Sequence, residues 1–241
     1  LIIEPQGDPE ADFRFRIFNS DGSAAEQCGN GARCIARYIA DSGLSVKNVI
    51  RLQTSSGTIE TRMLDSDQVE VDMGIPTVSA TQVPFEAASA SSCNAHPDNR
   101  YTSYFLDVGD GECHEIIPAS IGNPHGVLFV EDIASAPVAE LGSKLTAHPF
   151  FPERANIGFC QVVDGNFVRL RVFERGVGET RACGTGACAA VVAGRLSGRL
   201  EEGVKVSLPG GKIRIRWHGE GTPVKMTGPA TLVYEGQIAL D

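Results

Sequence analysis

The chain has 241 residues, 42% apolar and 21% charged, enough for one large domain or two small ones with a sizeable core and too apolar for a disordered chain. Its 21 basic and 30 acidic residues leave a net charge of −9, which argues against a nucleic acid or an anionic membrane surface as the main partner. The seven cysteines are few and odd in number, so reduced thiols in a cytoplasmic protein are expected rather than a disulfide framework.

In chain order, the first strong feature is an alternating segment, with Arg14 and Arg16 set against Phe15 and Ile17, which predicts a half-buried strand. A Gly-containing loop follows, then Cys-Gly-Asn-Gly-Ala (28–32) and a helix of about 10 residues closed by Ser42-Gly43. Three β-rich runs come next, VIRLQT, TIETRM and VEVDMG. Residues 77–100 are rich in Ala, Ser and Pro and read partly as a connector.

The grammar then returns. Residues 169–198 align without a gap on residues 14–43, at an offset of 155, with nine identities in 30 positions where about two are expected by chance. The identities include Arg14/Arg169, Arg16/Arg171, Cys28/Cys183, Gly29/Gly184, Gly31/Gly186 and Gly43/Gly198. The second helix, GACAAVVAG, is small and apolar nearly all round, so burial inside a sheet is expected. VKVSL and KIRIRW echo the β-rich runs of the first copy. The predicted fold class is therefore α+β: two pseudo-symmetric halves, residues 1–74 with 230–241, and residues 75–229.

Cys28 and Cys183 fall at matching points, each just before a helix start. The partial positive charge and free amides there lower a thiol pKa and favour thiolate. The flanking glycines leave the amides open to an anion such as a carboxylate. A single Cys-Gly is ordinarily a small buried hydrophobe, but two copies in register call for a shared chemistry. Zinc fits poorly, because Cys28/Cys34 and Cys183/Cys188 lack the usual close ligand spacing, and Cys34 and Cys188 suit a small apolar role inside the helices. Neither glycine cluster carries the Lys-Ser/Thr of a phosphate loop. A carbon acid deprotonated on one face and reprotonated on the other does need two such bases, one thiolate and one thiol, with amides that hold the growing carboxylate charge.

QCGNGARC, RVFERGVGETRACGTGAC, GNPHGV and ERANIGF together resemble the diaminopimelate epimerase family along the whole chain. That resemblance implies two halves, each a curved, mostly antiparallel sheet wrapped around a central helix, with the active site in the cleft between them. It implies a cofactor-independent isomerase interconverting LL- and meso-diaminopimelate for lysine and peptidoglycan synthesis. By motif, Cys28 and Cys183 become the acid/base pair. Asn19, Asn156, Glu174 and Arg175 become substrate-binding positions, and the amides of Gly29, Asn30, Gly184 and Thr185 hold the reacting carboxylate. Asn123 and His125, in GNPH, match a motif beside the cysteines. Arg175 suits a carboxylate and Glu174 an ammonium at the ends of the cleft.

Simpler roles stay open at this point: Asn19 and Asn156 as turn residues, Glu174 and Arg175 as a surface pair, His125 as a loop histidine. Proline racemase-like and phenazine-biosynthesis-like enzymes are the rivals within the fold, and a binding protein with a structural Cys28–Cys183 disulfide is the rival outside it. The expected partner is a small molecule, with no nucleic acid, no membrane, no metal, and a homodimer left as an option. The second repeat opens near Ile121, 62 residues before its cysteine, whereas 27 residues precede Cys28. Together with the Leu start, this predicts that some 35 residues of the first half are missing, leaving an open sheet edge and a partly uncovered first helix.

Overall fold

Alternation along the chain becomes strand structure in both repeats. The computed structural model describes residues 1–7, 9–18, 22, 28–55, 57–64, 67–78, 83–96, 100–109 and 111–237. The chain divides into two units, Leu1–Val71 with Thr227–Asp241, and Asp72–Met226.

In the first unit the strands are β1 (Ile2–Pro5), β2 (Phe13–Arg16), β3 (Val49–Thr54), β4 (Gly57–Met63) and β5 (Gln68–Asp72), and they lie side by side in that order. β2 buries Phe15 and turns Arg14 and Arg16 outward. β2 and β3 run parallel and the other pairs antiparallel. The parallel step is made by α1 (Gly29–Asp41), as a crossover between parallel strands requires. Ala36 of α1 packs on Val69 and Ala230, with Met63 beside them. The opposite face of α1 shows Cys34, Tyr38 and Asp41 to solvent, so the small apolar role expected for Cys34 is not the one it has. Helical periodicity explains the difference, since residues 34, 38 and 41 share the side turned away from the sheet.

The second unit holds β6 (Ser92–Ala95), β7 (Thr102–Asp107), β8 (Cys113–Ser120), β9 (Pro124–Phe129), α2 (Val138–Thr146), β10 (Asn156–Asp164), β11 (Phe167–Glu174), β12 (Gly178–Thr180), α3 (Gly184–Leu196), β13 (Gly203–Leu208) and β14 (Gly211–Arg216). β15 (Lys225–Pro229) carries the chain back to the first unit. The order is β14-β13-β11-β10-β9-β8-β7-β6, with β12 paired to β11. β9/β10 and β11/β13 are parallel; the remaining pairs are antiparallel. Setting aside β12, which lies between β11 and α3, the wiring β11–α3–β13–β14 repeats β2–α1–β3–β4.

The helix ends repeat as well. Cys28 (φ −134, ψ 95) and Cys183 (φ −129, ψ 109) are extended N-caps. At the other ends Ser42 (φ −81, ψ 0) and Ser197 (φ −81, ψ 3) are followed by Gly43 at φ 66 and Gly198 at φ 71, where the left-handed backbone favours glycine. Each helix has 13 residues, three more than the pattern suggested. α3 is buried along nearly its whole length, as its composition implied.

Two regions depart from expectation. Residues 77–100 are more than a connector, because β6 pairs with β7 there and Phe85 stacks on Phe150 with ring centroids 4.7 Å apart. α2 was not foreseen; it covers the β11 face that carries Phe173, so closely that a side chain at Gly142 would meet Phe173 Cβ at 2.6 Å and its ring at 2.7 Å. Among the described residues, no helix is long and apolar enough to cross a membrane.

Candidate active site

In the first unit, Cys28 stands where the loop turns into α1. Its Sγ accepts a hydrogen bond from the Gly31 amide at 3.2 Å. A Cβ at position 31 would lie 3.3 Å from this sulfur and 3.2 Å from the Phe15 ring, so glycine lets the thiol fold back over the first turn. Gly29 is buried as the first helical residue, and Asn30 is half-buried. The Asn30 Oδ1 accepts from Nη2 of Arg33, a buried arginine, at 3.1 Å. Asn19 lies outside the described residues.

The second unit gathers the other candidates into one connected set. His125, on β9, is opposite Asn156, on β10, in the parallel register. His125 is fully buried, a strand residue rather than a loop histidine. Its Nε2 lies 3.0 Å from Asn123 Oδ1, an acceptor, so Nε2 carries the hydrogen. Nδ1 is buried with no hydrogen-bond partner among the described residues. Burial, reinforced by the nearby Arg175 guanidinium, pushes the imidazole down to about 3 and keeps it neutral. Asn156 is buried, and its Oδ1 accepts from the Arg175 amide at 2.8 Å, which ties β10 to the end of β11. The Arg175 Nη1 donates to the Glu153 carbonyl at 3.0 Å.

Glu174 is the last residue of β11, and its carboxylate reaches two partners. Oε2 accepts from the Cys183 thiol at 3.2 Å. Oε1 accepts from the Thr180 hydroxyl across the β11/β12 hairpin. Glu174 therefore stands beside the Cys183 thiol. Thr185, the second residue of α3, places Oγ1 3.6 Å from the Cys183 sulfur. A Cβ at Gly186 would come within 3.0 Å of Val172 Cγ2 and 3.3 Å of the sulfur, matching the arrangement at Gly31.

The expectation that a helix start lowers both thiols fails at Cys183. That thiol is 5% exposed and is pushed up to about 12, first by burial and then by the Glu174 carboxylate. The Thr185 hydroxyl and Gly186 amide act in the opposite direction and are outweighed. Desolvation of a buried anion costs more than the partial charge of one helix end returns. The two cysteines thus differ in surroundings as they stand. Cys28 Sγ accepts a hydrogen bond, whereas Cys183 holds a proton and donates it toward Glu174. Sequence reasoning missed Thr180. The signal available was the turn Arg175-Gly176-Val177-Gly178, whose glycines at φ 76 and 96 fold the chain back and bring residue 180 beside residue 174. Among the described residues, no cluster of three or more His, Cys, Asp or Glu side chains is arranged to hold a metal ion.

The family model for diaminopimelate epimerase matches residues 2–79 and 118–233. Relatives described as diaminopimelate epimerase include that of Ectopseudomonas mendocina, 53% identical over 240 residues, and that of Pseudomonas paraeruginosa, 52% identical; the alignments cover 100% of this chain and 83% of each relative. Among solved structures, a hydroxyproline epimerase from Agrobacterium vitis with bound trans-4-hydroxy-L-proline superposes with a TM-score of 0.68 at 17% identity, covering 94% of this chain and 71% of that one. A phenazine-biosynthesis PhzF-family protein from Bacillus anthracis gives 0.66 at 16% identity, over 97% of this chain and 83% of that one. At such identities these structures speak for the fold alone.

Proposed function

The chain belongs to the diaminopimelate epimerase family, and from that membership we propose that its epimerisation of diaminopimelate, the reaction that interconverts the LL and meso forms on the way to lysine, runs on Cys28 and Cys183 without a cofactor. The carrying observation is the placement of two cysteines on equivalent helix starts, Cys28 with its sulfur on the Gly31 amide and Cys183 with its thiol on the Glu174 carboxylate. Removal of the α-proton needs a base on one face of the carbon, and inversion needs an acid on the other. In the direction that starts from a protonated Cys183, Cys28 serves as the base and Cys183 as the acid. The reverse reaction starts with the roles exchanged.

The amides of Gly29, Asn30, Gly184 and Thr185 are the groups we assign to the reacting carboxylate. Each pair opens a helix, where free N–H groups and the helix dipole favour the charge that grows as the α-carbon becomes an enolate-like centre. Glu174 is assigned to the substrate ammonium, and Asn19 and Asn156 are assigned to substrate binding by their motifs. Buried Nδ1 of His125 offers an acceptor to a substrate N–H, and the Arg175 guanidinium suits the second carboxylate as a paired contact. We take the enzyme to work in the cytoplasm on this small molecule, without nucleic acid, and leave a homodimer as its possible assembly.

The direct test is incubation of LL-diaminopimelate with the protein in deuterated water, followed by chiral separation and mass analysis. The reading expects conversion to the meso form with one deuterium entering the product at the inverted carbon. Conversion of proline with no change in diaminopimelate contradicts it and favours the racemase-like rival.

A further inference from the structure

The β11/β12 hairpin uses its two faces for two different jobs. Val172, Glu174 and Thr180 share one face, because Val172 is opposite Thr180 in the antiparallel register and Glu174 is two residues further along β11. On the other face, Arg171 Nε and Nη2 hold both carboxylate oxygens of Glu179, at 2.7 and 2.9 Å. Arg171 also donates through Nη1 to the Ile133 and Ala136 carbonyls, at 3.0 and 3.2 Å. A strand of only three residues has little to hold it by its own ladder, and this fork fixes it from behind. The front face is then rigid where Thr180 donates to Glu174 Oε1.

We infer that Thr180 is a positioning residue of the epimerase: held by the Arg171–Glu179 clamp, it locks the Glu174 carboxylate so that Oε2 stays on the Cys183 thiol and keeps that cysteine the proton donor of the resting enzyme. The inference rests on the two-thiol reading above. Arg171 and Glu179 direct their hydrogen bonds to each other and to the Ile133 and Ala136 carbonyls rather than to Cys183, so both act through Thr180 and Glu174. The geometry forces the sharing. Glu174 has two oxygens, one for the thiol and one for the hydroxyl, and loss of the hydroxyl bond frees the carboxylate to leave its rotamer. Among the described residues, Glu174 is the charged group that acts on the Cys183 thiol. The neighbouring charges are turned elsewhere, Arg175 toward the Glu153 carbonyl and Glu179 toward Arg171.

The test compares Thr180→Val, which keeps shape and β-branching but loses the hydroxyl, with Thr180→Ser, which restores it. Cysteine 13Cβ NMR of the ligand-free protein, with the Cys183 resonance assigned from Cys183→Ser, reads the titration of that thiol directly. Thr180→Val should shift the Cys183 titration to lower pH by about one unit, as partial loss of a nearby carboxylate requires. It should lower kcat about 10–100-fold with KM changed less than about threefold, the scale of one hydrogen bond to a charged group. Thr180→Ser should return both readings to within about twofold of the parent. Glu179→Gln, which breaks the clamp without touching the site face, should move them in the same direction as Thr180→Val and by less. A Cys183 titration in Thr180→Val that matches the parent overturns the positioning role, as does a serine variant indistinguishable from the valine one. Failure of the two-thiol reading looks different: Cys183→Ser then keeps α-hydrogen exchange, whatever Thr180 does.

Discussion

Acid should destabilise this fold through His125, and the loss can be worked from the structure. The imidazole is fully buried and pushed down to about 3 from an ordinary 6.5, by burial first and by Arg175 second. Below pH 6.5 the unfolded chain takes up a proton that the native protein refuses. A folded-state pKa that is depressed in this way gives stability that is present above 6.5 and lost as the pH falls toward 3. Each pH unit in that window costs about 1.4 kcal/mol, so lowering the pH from 7.5 to 4.5 removes about 3 kcal/mol through this one group. His125→Gln cannot take up the proton and keeps an N–H for Asn123. Urea unfolding of the two proteins, followed by the fluorescence of the single and buried Trp217, measures the difference. Carboxylates that titrate in the same range act on both proteins and cancel. The expected result is a stability gap that closes or reverses by about 3 kcal/mol on acidification. Parallel pH profiles would refute the claim that a neutral His125 is sealed into the site.

Two other perturbations read the site from different sides. Arg175→Ala should lower kcat/KM for diaminopimelate by about 10–100-fold, the scale of a lost charge-assisted contact, with a melting temperature within a few degrees of the parent; an unchanged kcat/KM moves Arg175 out of the binding machinery. Gly186→Ala places a methyl 3.0 Å from Val172 and 3.3 Å from the Cys183 sulfur. It should cost about 1–3 kcal/mol in thermal or urea unfolding, and a paired Val172→Ala should recover part of it. A neutral Gly186→Ala would show that the thiol is not packed against this turn.

Much of the architecture was legible because it is written twice. The repeat located both N-cap cysteines, both Ser-Gly helix ends and the strands that follow each helix, since local signals in register reinforce one another. α3 could be read as buried from its small apolar residues alone. α2 was not legible: Leu141 and Leu145 stand one turn apart, but the glycine between them and Pro137 just before the helix mask a short amphipathic pattern. β6 was hidden in an Ala/Ser-rich stretch because its four residues are all exposed and carry no apolar alternation.

The thiol environment was the largest miss, and its cause is spatial. A helix start is a local feature, so the sequence suggested a lowered thiol at both cysteines. Burial of Cys183 and the approach of Glu174 from nine residues upstream arise from the hairpin and the sheet, and they reverse the sign. Thr180 was overlooked for the same reason, its partner being set by strand pairing rather than by helical spacing. Cys34 shows the converse: membership of a helix was legible, but which side of that helix meets the sheet depends on neighbours supplied by distant strands.

The most direct test of the two-thiol mechanism is α-hydrogen exchange of diaminopimelate in deuterated water by the parent protein, Cys28→Ser and Cys183→Ser, with unfolding curves to verify that all three are folded. Serine is close in shape but a far weaker base at neutral pH, so each variant should lose epimerisation by at least about a thousandfold, within the range that general acid–base groups contribute. Parent-like epimerisation in either folded variant contradicts the mechanism.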